Sequence, residues 1–194
     1  MPKQAPLKNQ VLSSLKWVAM GKIVTQMLRW AMTFWVIRIL SPDDYGIVAM
    51  STVLFGFFNI VLSSLFTSSI IQQKDLSQAA LKQMFGAIIL SHGAFFLIQY
   101  GLADPVAAYY QSNIVSDVLK LNAWCFIFLA FEIIPAALLA KNMEFKQVSL
   151  IAATSNILAA LATLVMAYSD FGLWSLVYGE LINIILRSTL TIII

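Results

Sequence analysis

Four polar residues stand inside the first apolar stretch of the chain: Lys22, Gln26, Arg29 and Thr33. Their spacing places them within about 60° of one another on a helical wheel. Two cations on one stripe can receive an anion. A charge facing lipid costs several kcal/mol on insertion scales, so the stripe should face a protein interior or a watery cavity. The competing structural reading is that Lys22 snorkels to nearby headgroups and Arg29 pairs with a buried carboxylate. A second polar face occupies the last apolar stretch, where Glu180, Asn183, Arg187 and Thr191 again repeat at helical spacing. Glu180 and Arg187 are two turns apart, roughly 10 Å along the axis, so each needs a partner from another helix or from water. Glu132 lies in a third stretch shortly before Pro135, whose ring removes a backbone hydrogen bond and can kink a helix. A carboxylate beside such a bend suits proton or ion coupling, and equally an interhelical ion pair with Arg29 or Arg187.

Weaker polar stripes, Thr52, Gly56, Asn59 and Ser63 in one stretch and Ser149, Asn156 and Thr163 in another, read as close helix packing with neutral cross-helix hydrogen bonds. His92 and Gln99 can share a helix face, but a single histidine makes no metal site. No nucleophile elbow, phosphate-binding loop or HExxH pair is present. The adjacent carboxylates Asp43 and Asp44 follow Pro42 and read as turn formers. The sequence therefore offers no catalytic residue, no metal site and no cofactor signature, and argues against an enzyme.

The elements that must position these residues follow from composition. The chain is 60% hydrophobic and 11% charged, against about 25% charged in an average soluble domain, and its mean hydropathy is +0.85. A spanning helix takes about 20 apolar residues. The predicted fold is all-α, a polytopic membrane bundle of six transmembrane helices in one domain over residues 1–194, with spans near 17–40, 45–71, 84–102, 118–139, 148–168 and 172–194. Segment 103–117 reads as a loop whose Tyr109 and Tyr110 lie at headgroup level. The net charge of +3 is scattered among apolar runs rather than gathered in a patch, so no nucleic-acid partner is expected. Cys125 has no second cysteine to pair with. Lys and Arg resist translocation. With the N-terminus cytoplasmic, Lys3, Lys8, Lys16, Lys74, Lys82, Lys141 and Lys146 fall inside, and Asp43, Asp44, Asp104, Asp117 and Asp170 outside.

Three strings, ILSPDDYGIVAM at 39–50, NMEFKQ at 142–147 and DFGLWSLVYGEL at 170–181, together carry a family resemblance. The chain resembles the polysaccharide-exporter branch of the multidrug, oligosaccharidyl-lipid and polysaccharide (MOP) flippase superfamily. IIQQKDLS at 70–77 extends the likeness. The resemblance implies a bacterial inner-membrane flippase that moves a lipid-linked oligosaccharide, carried on undecaprenyl pyrophosphate, to the periplasmic leaflet for cell-surface polysaccharide or lipopolysaccharide biosynthesis. The Lys22, Gln26, Arg29 and Thr33 stripe would then meet the pyrophosphate. Relatives continue into a second helical lobe. The chain is accordingly expected to be an N-terminal half that needs the missing C-terminal lobe or a second copy, since alternating access requires two bundles. Relatives often carry an Asp and a Gly where this chain has Ser63 and Leu65, which removes a carboxylate from any coupling role there. Alternative readings are a cation-coupled small-molecule exporter of the same superfamily, resting on Glu132 and Glu180, and a non-transporting membrane assembly subunit whose intramembrane charges pair with another chain.

Overall fold

The computed structural model describes residues 20, 23–28, 30–72 and 77–193, with side chains described throughout except at 67–72. Lys22 and Arg29 lie outside the described residues. The protein is an all-α polytopic membrane protein. Helix α1 is helical over 23–28 and 30–36, followed by α2 (Pro42–Gln72), α3 (Gln78–Tyr110), α4 (Asn113–Lys141), α5 (Phe145–Tyr168) and α6 (Trp174–Ile193). Helices α2 to α6 are each long and apolar enough to cross a membrane.

Turn chemistry sets where the helices start and stop. Ser41 caps α2 with Pro42 at the first helical position: its hydroxyl accepts from Asp44 N at 3.2 Å. The Asp44 carboxylate accepts from Ser41 N at 3.0 Å and Ser41 Oγ at 2.7 Å. This is a reciprocal capping box. Ser77 caps α3 by accepting from Ala80 N at 3.1 Å. Met143 ends α4 with φ of 58°, and Glu144 N donates back to Leu139 O at 2.9 Å. The α5–α6 turn takes φ of 60° at Asp170 and 54° at Gly172. Left-handed backbone of this kind is the usual device for satisfying terminal helix carbonyls.

Segment 103–117, expected to be a loop, is instead almost wholly helical. Helix α3 continues to Tyr110 despite Pro105, and only Gln111 and Ser112 separate it from α4. Packing explains the extension. Ala103 and Ala107 are buried against Val115 and Leu119 of α4, while Pro105 falls on the exposed face. At about 1.5 Å per residue the 33 residues of α3 reach roughly 50 Å, beyond a hydrocarbon core of about 30 Å.

Helix α4 is the centre of the bundle and packs on α2, α3 and α6. Phe126 is fully buried at its middle, with Phe55 at 5.1 Å and Phe58, Phe95 and His92 within 6.4 Å between ring centroids. Among helices in lipid such shape-matched contact supplies the association that the hydrophobic effect supplies in water. Helix α1 joins through Val36 and Leu40, which pack with Ala167 of α5 and Leu176 of α6. The turns containing Ser41, Gln111 and Asp170 share one end of the bundle and carry most of the acidic residues. Lys82, Lys141 and Lys146 gather at the other end, which bears the Asn142 turn.

Candidate substrate cavity and interior ion pair

The polar residues of α6 lie on one face, and that face passes through two cavities. The larger, about 310 Å³, opens between α1, α5 and α6. Glu180 and Asn183 line it from α6, Asn156 and Thr163 from α5, and Thr25 and Thr33 from α1. Asn183 Nδ2 donates to Asn156 Oδ1 at 3.0 Å, a cross-helix bond that sets the register of α5 against α6. Gly179 sits beside this bond because nothing larger fits: a Cβ there would collide with the Thr163 hydroxyl. Further along α6, Arg187 and Thr191 line a second cavity of about 170 Å³, with Ala152 and Ile151 of α5 opposite.

Arg187 meets Glu132 of α4 at this point, Nε to Oε1 at 2.8 Å. The pair lies between the second cavity and a third of about 170 Å³, which Asn59 and Ser63 of α2 and His92 of α3 complete. Glu132 is 91% buried, its relative exposure being 9%, whereas 39% of the Arg187 side chain remains exposed. The contact is a charge contact rather than an aligned hydrogen bond, and both Arg187 Nε and Glu132 Oε2 are buried without a hydrogen-bond partner among the described residues. Ser188, next to Arg187, donates to Phe128 O at 2.9 Å and so ties α6 to α4 one turn from Glu132. Helix α4 stays helical through Pro135, whose missing N–H leaves the carbonyl four residues earlier without its usual donor.

The structure places the sequence-predicted residues unequally. Glu132 and Arg187 meet, and Glu180 and Asn183 share the larger cavity. On α1, Thr33 lines that cavity, but Gln26 is exposed and outside its lining. The face of α1 that lines the cavity is Thr25, Leu28, Met32, Thr33 and Val36. Asn156 and Thr163, read from the sequence as packing residues, face the cavity. Their two-turn separation was the available signal. His92 and Gln99 are both buried towards α4, His92 Nδ1 lying 2.9 Å from Ile88 O and Gln99 donating to Leu119 O at 3.0 Å.

The family model described as polysaccharide biosynthesis protein matches residues 35–194. The chain belongs to this family. The match contains all of α2 to α6 and the NMEFKQ and DFGLWSLVYGEL strings, in keeping with the resemblance to polysaccharide exporters; Lys22, Gln26, Arg29 and Thr33 precede it. An uncharacterized membrane protein in the cps region of Klebsiella pneumoniae is 23% identical over 184 residues, covering 95% of this chain and 38% of its own length. The lipopolysaccharide biosynthesis protein WzxC of Escherichia coli (strain K12) is 23% identical over 193 residues, covering 95% and 37%. The succinoglycan biosynthesis transport protein ExoT of Rhizobium meliloti (strain 1021) is 22% identical over 177 residues, covering 91% and 36%. The chain thus spans little more than a third of the length of the curated relatives it matches. No solved structure is a significant match.

Proposed function

We propose that this polysaccharide biosynthesis family member is part of a flippase that carries a lipid-linked oligosaccharide, held on undecaprenyl pyrophosphate, across a bacterial inner membrane. The N-terminus is cytoplasmic in this reading. The observation that supports it most is the polar face of α6, which runs from exposed Glu180 to buried Thr191 along two cavities of an otherwise apolar bundle. At 1.5 Å per residue it covers roughly 16 Å of membrane depth. Burying that much polarity in lipid is costly unless it lines a path. Family membership and the names of WzxC and ExoT point the same way.

In this reading Lys22 and Arg29 meet the pyrophosphate, with Gln26 and Thr33 as neutral neighbours, and the sugar follows the α1–α5–α6 cavity. A second bundle, from a longer polypeptide or another copy, supplies the opposing wall for alternating access. The test is polysaccharide export in cells carrying Lys22→Ala and Arg29→Ala, with Arg29→Lys as the finer probe because only guanidinium offers bidentate phosphate geometry. Loss of export at normal protein levels supports the assignment; unchanged export in the double variant removes it. Orientation is checked by reporter fusions at the Asn142 turn, which should report the cytoplasm. One observation favours a second reading, the cation-coupled small-molecule exporter: Glu180 shares the larger cavity with the side chains of Asn156, Asn183 and Thr163. Cation-driven efflux of a soluble compound from vesicles would decide for it.

A further inference from the structure

The Glu132–Arg187 pair has two features that a purely structural ion pair does not need. Glu132 is buried, with 12% of its side chain exposed, yet Oε2 lacks a hydrogen-bond partner among the described residues. The guanidinium makes a single, misaligned contact with that carboxylate, while 39% of the Arg187 side chain stays exposed and the residue lines both the second and the third cavity. A pair optimised to hold α4 to α6 would be bidentate, because parallel N–H to oxygen bonds give both strength and geometry. This one leaves part of each ion's binding capacity unused, beside two cavities that both residues line.

We infer that Arg187 is a further anion contact for the substrate and that Glu132 holds it in reserve. The inference rests on the flippase reading above. An incoming phosphate oxygen takes Arg187 from Glu132; the released carboxylate then binds one proton from solvent, forming an O–H bond on Oε1 or Oε2. Charge balances at Arg187 and Glu132 in both states. Before exchange, the Glu132 anion neutralises the Arg187 cation; afterwards a phosphate oxygen neutralises Arg187 and Glu132 is neutral. Neither state leaves Arg187 or Glu132 uncompensated inside the bundle, which would be the costly outcome in a low-dielectric interior; the second phosphoryl charge of the pyrophosphate diester falls to Lys22 and Arg29 in the flippase reading. Without the proton, the exchange would strand a buried carboxylate.

The neighbours of Glu132 are arranged for such a step. Helix α3 brings His92, whose Nδ1 lies 2.9 Å from Ile88 O; that bond assigns the proton to Nδ1 and leaves Nε2 as the acceptor of a neutral ring. Helix α2 contributes Asn59 and Ser63 to the same cavity, and α5 contributes only apolar residues to the other. Arg187 is thus the charged group facing Glu132 among the described residues, and His92 the other titratable one.

The experiment is calorimetric titration of the full chain in lipid nanodiscs with UDP-glucose, a soluble probe whose sugar-linked pyrophosphate diester does not titrate near neutral pH. It is run in two buffers of different ionisation enthalpy. The expected heats differ between buffers by about one proton taken up per ligand bound, and affinity weakens by up to about tenfold per unit rise in pH while free Glu132 is ionised. Glu132→Gln should abolish both dependences and tighten binding by about tenfold or more, since the competent state of such an equilibrium is populated on the order of 10% or less. Glu132→Asp should retain the proton uptake and shows that the site survives substitution. Buffer-independent heat in the wild type, absence of UDP-glucose binding, or equal binding by uridine would each overturn the inference. The wild-type arm needs no variant to fold. Export that still depends on Lys22 and Arg29 would leave the flippase reading standing in any of those cases.

Discussion

The carboxylate–cation pairs Asp104–Lys120 and Glu132–Arg187 each bind α4 to a neighbour, and they differ in almost every physical respect. At the Ser41 end, Asp104 of α3 accepts from Lys120 Nζ at 2.7 Å and from Ser116 Oγ at 2.5 Å. The Lys120 ammonium also lies 5.8 Å from the Tyr100 ring centre. The Asp104 side chain is 72% exposed. Deeper in the bundle, Glu132 meets Arg187 with one misaligned contact and 12% of its side chain exposed. The better-bonded pair is therefore the one that matters less for stability: exposed charges are hydrated whether paired or not, whereas removing one partner of a buried pair leaves the other uncompensated. Good geometry at the rim and poor geometry in the interior is the reverse of what a scaffold needs. It is what an interior pair with a second partner to bind would show.

The largest expected effect comes from breaking the interior pair. Glu132→Ala should destabilise the bundle by about 2–3 kcal/mol, below the roughly 3–5 kcal/mol of fully buried pairs because Arg187 is partly exposed. Denaturation in mixed micelles measures it, and the Glu132→Leu, Arg187→Leu double variant should recover most of the loss. Gly179→Ala asks whether α6 is held by close packing as much as by charge. Its new methyl meets the Thr163 hydroxyl, and overpacking of this kind costs about 1–3 kcal/mol. Adding Thr163→Ala should relieve it; a Gly179→Ala protein as stable as wild type would mean that α5 and α6 separate freely. Asn183→Leu removes the bond to Asn156 and should cost about 0.6 kcal/mol, the average for interhelical hydrogen bonds in membranes. Lys120→Ala should leave the unfolding midpoint unchanged within error at physiological salt. A clear loss there would erase the contrast between the two pairs.

Much of the secondary structure was legible because apolar runs of spanning length have few alternatives in lipid, where every backbone group must be bonded within the segment or a closed barrel. The three strings that carried the family resemblance lie at the turns 37–41, 142–144 and 169–173 and in the residues flanking them. Turn geometry demands particular residues, whereas a span demands only apolarity, so the turns hold the more specific signal. The 103–117 segment escaped because Pro105 and Asp104 look like helix breakers in isolation; burial of Ala103 and Ala107 against α4 decided otherwise.

Composition and periodicity by themselves determined that this is a membrane-spanning helical chain, that α6 has one polar face, and that Arg187 needs a partner from outside its own helix. Those properties depend on neighbours along the chain, within one or two helical turns. Only the tertiary structure decided that Arg187 and Glu132 meet, that Asn156 and Thr163 face a cavity, and that α1 turns Thr25, Leu28, Met32 and Val36 towards α5 and α6 while Gln26 stays exposed. These outcomes depend on how each helix is rotated about its own axis. In a bundle that rotation is set by the fit of small and large side chains between helices distant in sequence. Gly179 against Thr163 and Ser188 against Phe128 set it here.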